Sequence, residues 1–140
     1  MVMESFTLSN FKVETNTGSF DLKANVQWLG EDLLVAIWGG ELPHIGAVSV
    51  AQSRPSLKNP ANISATASVF CFPAHKEDEL AKAASEVLAA TLNTRVVVTA
   101  GIHWDNLSKE GIGKVIENSG ILIEMILEKI ASEFPPVYKK

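Results

Sequence analysis

The most constraining feature of the sequence is a stretch of strict alternation between residues 20 and 28. Even positions are apolar or small and odd positions are polar. The even positions are Phe20, Leu22, Ala24, Val26 and Trp28, and the odd positions are Asp21, Lys23, Asn25 and Gln27. Because successive side chains of a strand point to opposite faces, a period of two predicts a strand with one face on a core and the other in water.

Other segments of the chain also have strand character. They are residues 4–14, 33–38, 45–51, 63–72 and 95–102. The first changes register near Ser9 and Asn10, as a bulge would do. The second is apolar at every position, which predicts a central strand covered on both faces. Pro55 and Pro60 predict that residues 53–62 form a surface loop.

The second half of the chain changes to a helical period. Residues 77–93 begin with three acidic residues and continue with apolar residues three and four positions apart. Ser108 is suited to cap a second helix that ends before Pro135. The expected buried stripe of this helix is Ile112, Val115, Ile116, Ile123, Ile126, Leu127 and Ile130. Gly111, Gly113 and Gly120 are unusual inside a helix and indicate either close approach by another backbone, such as at a dimer contact, or flexible turns.

This order of elements predicts the fold class. Five strands followed by helix, strand and helix favour an α+β fold, a curved and mostly antiparallel sheet of about six strands with two helices on one face. No repeat or linker divides the chain, so residues 1–140 are expected to form a single domain.

Composition limits the classes of partner. The chain has 140 residues and a net charge of −4, so it lacks the positive field that nucleic-acid binding needs. Its single cysteine, Cys71, allows neither an internal disulfide nor a zinc ribbon and is expected to be a small core residue. Neither a membrane span nor a signal peptide is found, so the cytoplasm is the expected location and no membrane partner is expected.

The first candidate site lies between two strands, in Gly39-Gly40-Glu41-Leu42-Pro43-His44-Ile45-Gly46. Paired glycines allow the backbone to approach a ligand closely, and Pro43 restricts the chain before His44. The alternative is an ordinary hairpin turn with a surface histidine.

The second candidate site is Gly101-Ile102-His103-Trp104-Asp105-Asn106, between the last strand and the last helix. In extended backbone, His103 and Asp105 point to one side and Trp104 to the other. The alternative is that Asp105 or Asn106 only helps to cap the helix.

If the first stretch brings His44 toward His103 and Asp105, the three polar groups would converge beside Trp38 and Trp104. Such a cluster could bind a metal ion through His44, His103 and Asp105. It could also perform acid and base catalysis, or hold a polar heteroaromatic ligand between imidazoles and indoles. The spacing leaves these three uses open.

His75 is expected to be a solvated residue at the start of the first helix.

These two stretches resemble the prenylated-flavin chaperone (LpdD-like) family, the small D subunits of gallate and related hydroxyarylic acid decarboxylases. The resemblance is carried by residues 39–48 and 101–108. It implies a fold similar to that of proteasome-assembly chaperones, which commonly dimerise. It also implies a non-catalytic protein that binds prenylated flavin mononucleotide (FMN), or FMN itself, and serves a UbiD-type decarboxylase.

The resemblance assigns the cofactor to both stretches. One wall of the site would be Gly39, Gly40, Pro43 and His44, and the other would be His103, Trp104, Asp105 and Asn106. Ser108, with Lys109, would face the phosphate. The alternatives to this role are a small metal-dependent enzyme that uses His44, His103 and Asp105, and an interaction protein similar to the assembly chaperones that makes contacts through its last helix.

Overall fold

The computed structural model describes residues 10–73 and 77–133, which form six strands and two helices. The strands are β1 (Asn10–Glu14), β2 (Leu22–Leu29), β3 (Asp32–Gly40), β4 (Ala47–Pro55), β5 (Ile63–Cys71) and β6 (Arg95–His103), and the helices are α1 (Asp78–Leu92) and α2 (Lys109–Glu133). This is the predicted order of elements.

The strands form one sheet with the order β1-β2-β3-β6-β4-β5. Only the pair of β3 and β6 is parallel among the described strands, and the other neighbours are antiparallel. Since β6 lies between β3 and β4, the chain that joins these two strands must pass across the end of β6. The mostly antiparallel α+β fold predicted from the sequence is confirmed.

Both helices pack on one face of the sheet, which we call the helix face. The alternation in β2 places Leu22, Ala24 and Val26 on this face, where each is fully buried. The core is completed by apolar residues of the neighbouring strands and of both helices; the largest are Leu33, Ile37, Leu88, Leu122 and Ile126. Burial of this shared apolar surface is the main force that holds helices and sheet together.

The opposite face of the sheet, which we call the open face, is not covered by a helix of the described residues. The prediction that residues 33–38 are buried on both sides is therefore wrong. Leu33, Val35 and Ile37 are at most 2% exposed, whereas Leu34 and Trp38 on the open face are only partly buried. A continuous apolar run indicates that a strand is central in its sheet. It does not show that other elements cover both faces of that strand.

The buried side of α2 also differs from the prediction. Ile112 and Ile116 were assigned to the buried stripe, but their exposed fractions are 48% and 64%. Val115, Ile126 and Ile130 of the predicted stripe are buried, and Asn118 and Leu122, which the prediction did not include, are buried beside them. More positions of this helix are apolar than one buried stripe can contain, so the packing partner selects among them.

Two strand boundaries were predicted imperfectly. β4 continues to Pro55, beyond the predicted end at residue 51, because a proline at the last position of a strand interrupts no central hydrogen bond. The register change predicted near Ser9 falls at the limit of the described residues, since residues 1–9 lie outside them.

The loop between β1 and β2 is held by one carboxylate and one buried amide. Asp21 accepts hydrogen bonds from the backbone N–H of Thr17 and from the hydroxyl of Thr15. These bonds, chiefly that from Thr17, lower the pKa of Asp21 to about 2. Asn118 of α2, which is fully buried, donates to the carbonyl groups of Ser19 and Phe20. The loop is thereby fixed to α2.

Among the described helices, none is both long enough and apolar enough to cross a membrane.

Candidate functional site

Both candidate stretches lie at the same end of the sheet. The parallel strands β3 and β6 end there, and β5, which runs in the same direction as β6, ends there too. The helices that follow β5 and β6 therefore begin at this end. Residues 41–46, which we call the crossover loop, join β3 to β4 across the end of β6.

Two glycines allow this crossover. A Cβ atom at Gly101 would overlap the backbone carbonyl of His44, and a Cβ atom at Gly40 would overlap the backbone of His103. Gly40 also has a φ of +92°, which side chains other than hydrogen rarely tolerate. The crossover loop is fastened by hydrogen bonds from the N–H of Glu41 to His103 and from Gly46 to Ala100, at 3.0 and 2.9 Å.

Gly39 has a packing role as well. A Cβ atom there would meet the side chain of Leu22 at 2.5 Å and that of Trp104 at 3.1 Å. The paired glycines thus have structural reasons that do not involve a ligand. Their contribution to a binding site, which the sequence suggests, stays a prediction.

His44 is held by a buried carboxylate that the sequence analysis did not select. Its Nδ1 atom lies 2.8 Å from the carbonyl oxygen of Leu42, so Nδ1 carries a proton. Its Nε2 atom lies 2.9 Å from Oε2 of Glu77, which precedes α1 and is 8% exposed. The same oxygen accepts the backbone N–H of Ile102 at 3.0 Å.

Glu77 therefore connects three parts of the site: the crossover loop, β6 and the start of α1. It does not cap its own helix with its side chain. The carboxylate occupies the space in which Gly46 would otherwise carry a side chain. Nothing in the local sequence distinguishes Glu77 from the acidic residues beside it, because its partners are 33 and 25 residues away.

His103 forms a second, more exposed pair. Its Nε2 atom lies 2.9 Å from Oδ1 of Asp105, and the side chains are 50% and 73% exposed. This confirms that the two residues point to the same side. Glu41 accepts the backbone N–H of Asp105 at 3.3 Å, so the crossover loop also supports this pair.

The predicted convergence of His44, His103 and Asp105 beside both tryptophans does not occur. The histidines form two separate pairs, and the tryptophans lie on different sides of the sheet. Trp104 packs against the core and makes an edge contact with Phe20, with ring centroids 5.1 Å apart. Trp38 alternates with buried residues of β3 and lies on the open face.

The remaining predicted residues have local explanations. Ser108 accepts the N–H of Gly111 at 3.0 Å and so caps α2, as predicted. Asn106 adopts a left-handed conformation with a φ of +55°, which asparagine tolerates. Pro43 is exposed in the crossover loop.

The two residues set aside in the sequence have different outcomes. Cys71 is half-buried and packs against the core, which agrees with the expected core role. His75 lies outside the described residues.

The glycines of α2 also differ from one another. Gly111 is buried, and a Cβ atom at this position would lie 2.5 Å from the side chain of Leu107 and 3.2 Å from that of Phe20. Gly113 and Gly120 are exposed and have open space around them. The close neighbours of Gly111 are thus side chains of the same chain and not another backbone.

The exposed pair offers two kinds of chemistry. When His103 donates its Nε2–H to Asp105, its Nδ1 atom is a lone-pair acceptor for a ligand N–H group. Glu41, His103 and Asp105 also place one ligand atom each within 4.8 Å of one another, a set that could hold a metal ion. The metal ligand set suggested by the sequence thus changes, with Glu41 in place of His44.

The fold resembles that of a solved structure. One solved structure with this architecture is a chaperone complex for yeast 20S proteasome assembly. It has a TM-score of 0.53 and 9% sequence identity, and the match covers 89% of this chain and 96% of that chain. The likeness to an assembly chaperone is one of fold.

The family follows from the sequence. A model of the prenylated flavin chaperone LpdD-like domain matches residues 16–131, and the chain belongs to this family. The resemblance based on the two stretches is confirmed. Among curated proteins, no sequence matches the chain.

Proposed function

We propose that this protein binds prenylated FMN, or FMN, and delivers it to or retains it for a UbiD-type decarboxylase in the cytoplasm, without catalysing a reaction itself. Family membership over residues 16–131 is the observation that carries this proposal. The cofactor would lie at the end of the sheet where the crossover loop meets β6.

The exposed side chains at this end suit the edge of a flavin ring. The pyrimidine part of an isoalloxazine has an N–H donor between two carbonyl acceptors. Nδ1 of His103 is available to accept from that donor, because Nε2 is used by Asp105. In contrast, both ring nitrogens of His44 already have partners, so His44 shapes the crossover loop and does not contact the ring edge.

The first test is a fluorescence titration of the purified protein with FMN and with prenylated FMN. Saturable binding is expected, and His103→Ala should weaken it by about tenfold, because a hydrogen bond to an oriented histidine is lost. His103→Asn, which keeps an acceptor near the Nδ1 position, should retain part of the affinity. Asn59→Ala, in the exposed loop at the opposite end of the sheet, should leave it unchanged.

Two results would contradict the proposal. One is the absence of saturable binding to either flavin, and the other is wild-type affinity in His103→Ala. The partner is tested with the same protein by its transfer of bound prenylated FMN to a purified apo-decarboxylase of the UbiD type, measured as recovered decarboxylation.

A metal centre is the second candidate function, favoured by the geometry of Glu41, His103 and Asp105. It would support a small metal-dependent enzyme. Elemental analysis of protein purified without a histidine tag distinguishes the two functions. One equivalent of a transition metal that is lost in Asp105→Asn would favour the metal centre over the flavin site.

We also propose that the protein is a homodimer. α2 presents the exposed side chains of Ile112 and Ile116 beside Gly120, where a second helix could approach closely. This contact would leave the open face of the sheet accessible.

A further inference from the structure

The proposed cofactor carries a phosphate, and the end of the sheet near His103 is unsuited to it. Two exposed carboxylates, those of Glu41 and Asp105, accompany His103 there. Two negative groups repel a phosphate dianion at short range. A position away from these two carboxylates is therefore favoured for the phosphate.

The open face offers a position for the phosphate that is away from these carboxylates. Trp38 is the register partner of Gly101 on β6, and two residues further along β6 is His103 on the same face. On the other side, Trp38 is the register partner of Lys23 on β2. An imidazole, an indole and an ammonium group thus follow one another across three neighbouring strands.

The spacing of these groups matches the cofactor. Neighbouring strands are about 4.8 Å apart, so β6 and β2 are separated by about 10 Å. This is comparable with the distance between the ring edge and the phosphate in an extended FMN molecule. Side chains of directly opposed residues such as Trp38 and Lys23 have Cβ atoms about 5 Å apart.

The open face beside Trp38 carries small side chains on β3 and β6. Ala36 lies next to Trp38 on the open face, and its register partner on β6 is Thr99. Both are partly buried and small. The crossover loop borders this surface, because the carbonyl of His44 lies against Gly101 on the open face. A planar ring placed here would contact the indole of Trp38.

Lys23 is available to bind an anion. It is exposed and forms no ion pair with any of the described residues, although Glu14 is its register partner on β1. Lys12 lies on the same face of β1 and adds a second positive charge. The net charge of these three side chains is positive, which is opposite to that of the phosphate.

From these observations we propose that the open face is the cofactor-binding surface, with Trp38 against the isoalloxazine ring and Lys23 at the phosphate. This inference rests on the proposed function and names the position of its ligand. It differs from the sequence-based expectation, which used Trp104 for the ring and Ser108 with Lys109 for the phosphate.

The test compares matched lysine variants with two flavins. Lys23→Gln is expected to weaken FMN binding about tenfold and to leave riboflavin, which lacks the phosphate, within about twofold of wild type. Lys58→Gln removes the same charge from another exposed lysine, in the loop between β4 and β5 at the opposite end of the sheet, and should change neither affinity. Loss of FMN affinity in Lys109→Gln and not in Lys23→Gln would overturn the phosphate assignment.

A second pair of variants tests the ring. Trp38→Leu should weaken FMN and riboflavin equally and reduce the quenching of flavin fluorescence on binding. Phe70→Leu, at an exposed aromatic on the far side of the open face, is the control. Wild-type quenching in Trp38→Leu would contradict the inference.

The same samples separate this inference from the proposed function. If wild-type protein binds neither flavin, both fail. If it binds FMN and the Lys23 and Trp38 variants bind equally well, only the inference fails. Light scattering tests whether a second copy of the chain occupies the open face instead of the flavin. A dimer that dissociates in both Trp38→Leu and Phe70→Leu, without loss of flavin affinity, would show that it does.

Discussion

Replacement of Gly101 by alanine is expected to lower the free energy of unfolding by about 3 kcal/mol, the upper end of the cost of overpacking. The added methyl group would overlap the backbone carbonyl of His44, and a backbone cannot move aside as a flexible side chain can. The crossover loop must then separate from β6. Urea denaturation measures the loss, and hydrogen exchange at the amide of Gly46 locates it.

The matched control is Gly113→Ala. Gly113 lies inside α2, is exposed and has open space where the added methyl group would lie. The same substitution should therefore raise stability there, by about 0.5 to 1 kcal/mol, because alanine is the better helix former. If Gly101→Ala is as stable as wild type and the amide of Gly46 stays protected, the crossover loop does not lie against β6.

Replacement of Glu77 by glutamine is expected to cost about 2 kcal/mol, within the range for hydrogen bonds to charged groups. A single oxygen of Glu77 lies within hydrogen-bond distance of Nε2 of His44 and accepts the backbone N–H of Ile102. A neutral amide oxygen in that position would accept more weakly, and an amide nitrogen would face the N–H of Ile102. The side chain is nearly the same size, so the cost reports hydrogen bonding and charge rather than a cavity.

Glu79→Gln serves as the control for this variant. Glu79 is exposed in the first turn of α1, where its charge interacts with the helix dipole as that of Glu77 does. The difference between the two variants therefore isolates the buried contacts. Equal stabilities would show that the Glu77 contacts contribute nothing, and exchange of the Ile102 amide at the wild-type rate would show the same locally.

Much of the fold could be predicted from local patterns. The alternation in residues 22–28 determines which side chains of β2 face the core, since the strand period is two. The change to helical spacing near residue 78 determines where strands give way to α1. Asn93 ends that helix in a left-handed conformation, close to the predicted position.

The predictions of burial in β3 and α2 were wrong where the sequence pattern allowed more than one packing arrangement. The apolar run in β3 is compatible with cover on one face or on two. The many isoleucines of α2 are compatible with several buried sides, and the contact with β1 and β2 selects one that leaves Ile112 and Ile116 exposed. These outcomes depend on which elements meet, and local spacing does not contain that information.

The candidate site also combines local contacts, which the sequence predicts, with contacts between residues distant along the chain, which it does not. The pairing of His103 with Asp105, and the opposite orientation of Trp104, follow from a separation of two residues in extended backbone. Glu41 reaches Asp105 across 64 residues and Glu77 reaches His44 across 33. Only the placement of β6 between β3 and β4 brings these residues together.

By itself, the sequence determined the element order, the α+β class, the resemblance to the prenylated-flavin chaperones and the exposed pair of His103 and Asp105, because each depends on local spacing or on short motifs. The tertiary structure decided that His44 is bound to buried Glu77, that Trp38 and Trp104 lie on different sides of the sheet, and that both described helices pack on the same face of the sheet. The first result requires the crossing of residues 41–46 over β6, and the second requires the pairing of β3 with β6. Both are contacts between segments that are distant along the chain.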